Sequence, residues 1–144
     1  MEIVPLETVS ETSSNASIGD LNGDGHPDTV LVKGRHWQVT SRMFFGDGKG
    51  HFTPGPALPT SAIRSNSASL ADMTGSDHLD MVLSNDQPDP KLVLRNDGKG
   101  HFTIGGSYGD PTWPTRNAAV GDLNGDGHLD IAGRRALGDA DVFA

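Results

Sequence analysis

The chain has no cysteine. That removes a disulfide scaffold, a thiolate-bound zinc and a thiol nucleophile together. Basic charge is scarce too: 11 Lys and Arg stand against 19 Asp and Glu, a formal charge of −8 at pH 7. Nucleic acid and anionic membrane surfaces are held by cationic patches, so neither is expected as a partner. No apolar run approaches the ~20 residues of a membrane-spanning helix, which excludes membrane insertion by that route. The first residues, MEIVPLETVS, do not form a signal peptide. The HExxH motif and a phosphate-binding P-loop are missing as well, so no zinc-protease or nucleotide chemistry announces itself. What is abundant is glycine, 19 residues, with 9 prolines. Frequent turns follow, and long helices are not expected. A chain of 144 residues suffices for one domain with a core.

A repeat organises the chain. GDLNGDGHPD at 19–28 returns as GDLNGDGHLD at 121–130, and an altered copy, ADMTGSDHLD, lies between them at 71–80. A second element keeps the same register, FFGDGKGHFT at 44–53 and LRNDGKGHFT at 94–103. Two unrelated motifs sharing a period of about 50 residues make chance similarity untenable. The units run approximately over 11–60, 61–110 and 111–144, with 1–10 as an outer strand.

Each unit carries short apolar runs rich in β-branched and aromatic residues, which read as strands. They fall near 15–19, 29–33, 37–45 and 51–53, then 67–71, 81–84, 91–96 and 101–104, then 117–121, 131–133 and 141–144. The Asp-Gly pairs at 47–48 and 97–98 are hairpin signals, because glycine tolerates the positive φ of such turns. The expected fold is all-β: four-stranded antiparallel blades, about three per chain, arranged as in a β-propeller.

The acidic loop places oxygen-bearing side chains on alternate residues, Asp20, Asn22 and Asp24, with Asp28 four residues on. Gly23 and Gly25 let the chain wrap tightly around a point. Hard oxygen donors converging in this way suit Ca²⁺, which takes six to eight oxygens. His26 falls where a backbone carbonyl would turn inward. The third unit repeats the set with Asp122, Asn124, Asp126, the carbonyl of His128, and Asp130. The plain alternative is a turn rich in Asp, Asn and Gly. The density of carboxylates argues for a cation instead. In the middle loop Asp72, His78 and Asp80 are retained, but Thr74 and Ser76 replace Asn and Asp, so a ligating carboxylate is lost and weak or absent binding is expected there. An EF-hand needs a bidentate Glu as twelfth residue. That position is Leu31 counting from Asp20 and Gly133 counting from Asp122, and strand-like residues follow both loops.

The stretches ASIGDLNGDGHPDTVLV and AAVGDLNGDGHLDIAG, with the following NDGKGHF, resemble the FG-GAP/VCBS repeats of integrin α-subunit heads and of many surface proteins and lectins. The resemblance spans nearly the whole chain. It implies a β-propeller in which the loop after each innermost strand binds Ca²⁺ on one face of the ring. It also implies an extracellular or cell-surface parent.

Catalysis is not expected. His26, His78 and His128 occupy matched loop positions, and His51 and His101 matched positions after DGKG. A repeated position implies a repeated structural role. The residues that break the repeat are Trp37, Tyr108 and Trp113, with Arg64, Arg116, Arg134 and Arg135. Trp37, Trp113, Tyr108 and Arg116 are the ligand candidates, since aromatic faces stack on sugar rings and arginine anchors hydroxyls or carboxylates. Against that, Trp37 could fill core and Trp113 brace a loop. Two functions stay open: a calcium-stabilised module binding glycan or protein, or a structural repeat unit with no ligand but calcium. A propeller-type enzyme ranks behind both.

Three blades do not close a ring, since propellers have four to eight. The sequence therefore predicts a homodimer with a six-bladed ring, in which MEIV of one chain pairs as an outer strand with residues 141–144 of the other.

Overall fold

A computed structural model describes residue 3, residues 5–136 and residues 138–144. They form three antiparallel sheets in chain order. The first holds β1 (Ser13–Gly19), β2 (Asp28–Lys33), β3 (Arg42–Gly46) and β4 (Phe52–Pro54). The second holds β5 (Ser65–Ala71), β6 (Asp80–Asn85), β7 (Lys91–Asn96) and β8 (Phe102–Tyr108). The third holds β9 (Thr115–Gly121), β10 (Asp130–Arg135) and β11 (Ala140–Phe143). Each is a meander whose register is nearly superimposable on the next. Gly19 faces Asp28, Ala71 faces Asp80, and Gly121 faces Asp130. All three sheets slip register at the start of the first strand or the matching end of the second.

The first strands stand side by side. Ser17 donates its hydroxyl to the Ala68 carbonyl at 2.6 Å, and one period later Ser69 donates to the Ala118 carbonyl. Small hydroxyl side chains let the inner strands approach closely where a Leu would hold them apart. Apolar side chains then fill two interfaces. Val30, Val32 and Met43 of the first sheet pack against Met81, Leu83, Leu92 and Leu94 of the second. Val82 and Tyr108 of the second meet Ala118 and Ile131 of the third. Successive strand residues point to opposite faces. Hence Met81 and Leu83 serve one interface while Val82 serves the other, and β6 is buried along its whole length. Each such aliphatic side chain contributes about 1.5–3 kcal/mol.

Three strand expectations change. The run over 37–45 is a strand only from Arg42. Gly34 and Arg35 adopt φ of 107° and 52°, and the Trp37 amide closes a turn onto the Gly34 carbonyl at 2.8 Å. The chain leaves β2 there, and Val39 bridges to Ile63 instead. β8 runs four residues beyond its expected end at 104, to Tyr108. The outer strand expected over 1–10 falls partly outside the described residues, at Met1, Glu2 and Val4. The described residues 3 and 5–10 form no strand. Glu7 and Glu11 instead each hold Nζ of the fully buried Lys33 at 2.6 Å.

The meander sorts the loops into two ends. One end gathers the acidic loops at 20–27, 72–79 and 122–129 with the DGKG turns. The other gathers 34–41, 55–64, 86–90, 109–114, 136 and 138–139, and three of the seven repeat-breaking residues, Trp37, Arg64 and Trp113, lie in these loops.

Candidate metal-binding loops and the opposite loop end

In the first loop the chain is wound around its own carboxylates. Asp20 accepts the Gly23 amide on one oxygen and the Gly25 amide on the other, both at 2.8 Å. Asn22 Oδ1 accepts the Asp24 amide at 3.1 Å, and Asp24 accepts the His26 amide at 2.8 Å. Gly23 and Gly25 supply φ of 76° and 83°, a path other residues adopt only with strain. The third loop repeats every bond: Asp122 with the amides of Gly125 and Gly127, Asn124 with that of Asp126, Asp126 with that of His128. The His26 amide holds the Asp24 carboxyl below its ordinary range, and the Gly125 and Gly127 amides do the same for Asp122. These side chains are anions at neutral pH.

The last aspartate of each loop does something the spacing did not disclose. Asp28 is fully buried and joins two elements, accepting the Leu21 amide at 2.8 Å and the Gly46 amide at 2.9 Å. Asp80 does likewise with Met73 and Asn96, at 3.1 and 2.9 Å. Asp130 accepts the Leu123 amide at 2.8 Å. Asp28 and Asp80 thereby tie the loop to the end of the third strand, a contact of 18 and 16 residues' separation.

The donors fit calcium by their chemistry. Each intact loop offers carboxylates, one amide oxygen and a carbonyl, all hard oxygens of the kind Ca²⁺ takes. An oxygen that accepts one N–H keeps a second lone pair for a cation. Among the described residues, no three Asp, Glu or His side chains form a ready metal cage. A calcium ion in these loops would therefore also need Asn22 or Asn124 and backbone carbonyls.

The middle loop is held by hydroxyls. Thr74 Oγ1 lies 3.1 Å from Ser76 Oγ and donates to Asp80 at 3.3 Å, while Asp72 accepts the Ser76 and Asp77 amides at 2.9 and 2.8 Å. The Ser76 amide is the main reason the Asp72 carboxyl is held down. The carboxylate missing at Ser76 is not lost from the loop but moved one residue on. Asp77 stands at φ 63°, where Gly25 and Gly127 stand in the other loops. The pair Thr74→Asn with Ser76→Asp is expected to add one calcium ion per chain in titration calorimetry. An unchanged stoichiometry would place the defect in the Asp77 backbone.

Four of the five matched histidines pack on or bond to a DGKG turn. A Cβ on Gly48 would lie 2.6 Å from His26, and one on Gly98 2.6 Å from His78, so each ring packs on the glycine of its DGKG turn. His51 and His101 bond Asp47 and Asp97 of the same turn at 2.8 and 3.2 Å. The Lys49 amide and then the His51 ring and amide bring Asp47 down to about 2. His36 bonds Asp86 at 2.8 Å and so links the first two sheets.

At the opposite end the ligand candidates part company. Trp37 is 67% exposed and fills no core. One face of Trp113 is covered by the Arg135 guanidinium at 3.4 Å, itself paired with both oxygens of Asp141. Arg116 reaches Asn66 Oδ1 at 3.3 Å and Asp86 at 3.7 Å. Tyr108 is a core residue rather than a ligand contact. Its ring meets Phe143 edge-on at 5.5 Å, its hydroxyl bonds Ser84 at 3.0 Å, and burial pushes its pKa up to about 12. Its partner Phe143 lies in the next sheet, which no local pattern reveals.

The model of the FG-GAP-like repeat matches residues 20–83 and again 72–133. The chain belongs to the FG-GAP-like repeat family, and its sheets are blades of the β-propeller type. No curated protein matches it.

Proposed function

We propose that this chain is a calcium-stabilised propeller module that binds a glycan or protein ligand in an extracellular setting, and not an enzyme. One observation carries the calcium reading: the first and third loops, about 100 residues apart, hold identical donors in the same bonded arrangement at the same end of the molecule. The opposite end supplies the binding reading, with exposed Trp37 and the partly open Trp113 in its loops and the partly open Arg116 at the start of β9. Thermal unfolding with calcium and with EDTA tests the first. A glycan array probed in calcium, with Trp113→Ala as comparison, tests the second, and an array without hits favours a structural unit whose sole ligand is calcium.

We further propose that two chains complete a six-bladed ring. Ser17 faces the second sheet, so its neighbour Ile18 faces away from it. Phe143 packs on Tyr108, so Val142 also faces away. Ile18 and Val142 are 71% and 60% exposed, and they mark apolar positions on the two open flanks of the three-blade arc. Light scattering at tens of micromolar is expected to give twice the chain mass, and a monodisperse monomer would refute the ring.

A further inference from the structure

The loop end opposite the acidic loops contains a cleft of about 530 Å³, lined by Ser13, Ser14, Arg35, Asn66, Arg116 and Arg134 together with Ala136. These residues come from all three sheets, where the inner strands begin. In a chain with formal charge −8, three guanidinium groups in one polar cleft form a local reversal of sign. The reversal is not cancelled from within. Arg116 is shared with Asp86 at 3.7 Å, but among the described residues Arg35 and Arg134 have no carboxylate partner.

The cleft is also held in shape. Asn66 is buried and spans two blades, donating to the Thr115 carbonyl at 2.9 Å while its oxygen receives Arg116. Arg35 sits at φ 52°, in a region disfavoured for a side chain with a Cβ, and its amide is fixed to the Ser65 carbonyl at 2.9 Å. Strain of this kind persists where the surroundings impose it, and it places the Arg35 side chain at the cleft. Ser14 is anchored to the carbonyls of Val32 and Ser65, so its hydroxyl oxygen remains an acceptor toward the cleft.

We propose that this cleft binds the carboxylate of an acidic sugar. A guanidinium fork matches a planar carboxylate through two parallel bonds. Serine hydroxyls beside it match ring hydroxyls, and the volume lies within the range of small-ligand sites. Inorganic phosphate would satisfy the arginines alone and leave the serines unused. The proposal rests on the reading of the chain as a binding module and names what that module takes.

The test uses the full chain in calcium and digalacturonate as probe, titrated by calorimetry beside a neutral disaccharide and inorganic phosphate. Digalacturonate is expected to bind at one site per chain, more tightly than either comparison, and to weaken as salt rises. Arg35→Gln and Arg134→Gln are each expected to lose about tenfold or more in affinity, the effect of removing a charge-assisted bond. Lys49→Gln, at the far end, is expected to bind as the parent does. If Arg35→Gln unfolds, Arg134→Gln alone decides. Equal binding of the neutral sugar or of phosphate, unaffected arginine variants, or no binding at millimolar probe would each overturn the proposal. A calcium-induced rise in unfolding temperature without digalacturonate binding would sink the cleft and leave the calcium reading standing. Binding without any calcium effect would do the reverse.

Discussion

Stripping calcium with EDTA is expected to lower the unfolding midpoint by roughly 10–20 °C relative to millimolar calcium. An ion bound only by the folded state stabilises it by RT ln(1 + [L]/Kd), about 2.7 kcal/mol per site at a hundredfold excess over Kd. Two occupied loops would therefore supply about 5 kcal/mol. For a domain of this size each kcal/mol moves the midpoint by roughly 3 °C. The expected mechanism is local: the carboxylates of Asp20 and Asp24 in one loop, and of Asp122 and Asp126 in the other, stand close together on short turns, and a bound divalent cation would relieve their mutual repulsion. Scanning calorimetry checks it, and an unchanged midpoint would refute it.

Asp80→Ala is expected to destabilise the protein by about 2–4 kcal/mol in calcium and in EDTA alike. The carboxylate is fully buried and accepts two main-chain amides, from Met73 and Asn96. Its removal leaves both donors without a partner away from water, at about 1–3 kcal/mol each. Asp80 is the instructive position because the middle loop, with Thr74 and Ser76, is the one expected to hold calcium poorly. A loss that persists in EDTA isolates the structural role of the carboxylate from ligation. Asp80→Asn is expected to lose less, since one oxygen remains to accept. Denaturant melts that differ by under about 1 kcal/mol between Asp80→Ala and the parent would show the two amides satisfied elsewhere.

Much of this was legible in the residues because the repeat states it twice. GDLNGDGHPD and ADMTGSDHLD, each followed by a DGKG turn, mark the order of the strands, and the apolar runs TVLVK and MVLS mark the buried second strands. What escaped was long-range or conformational. WQVT has the composition of a strand, but the left-handed backbone at Gly34 and Arg35 diverts it into a loop. Asp28 and Asp80 read as ligands alone, because their bonds to Gly46 and Asn96 come from the packing of the third strand beneath the loop. Tyr108 broke the repeat and so looked functional, yet it breaks it to fill the interface against Phe143. Arg35 carried no sequence signal at all. Only the convergence of three blades puts it beside Arg116 and Arg134.

The most direct test of the proposed calcium binding is the number of ions bound per chain, measured by titration calorimetry on calcium-free protein. Two are expected, falling to one with Asp20→Ala or Asp122→Ala and to none with both. No heat of binding at millimolar calcium, or an unchanged count in the double variant, would contradict the assignment of the two loops.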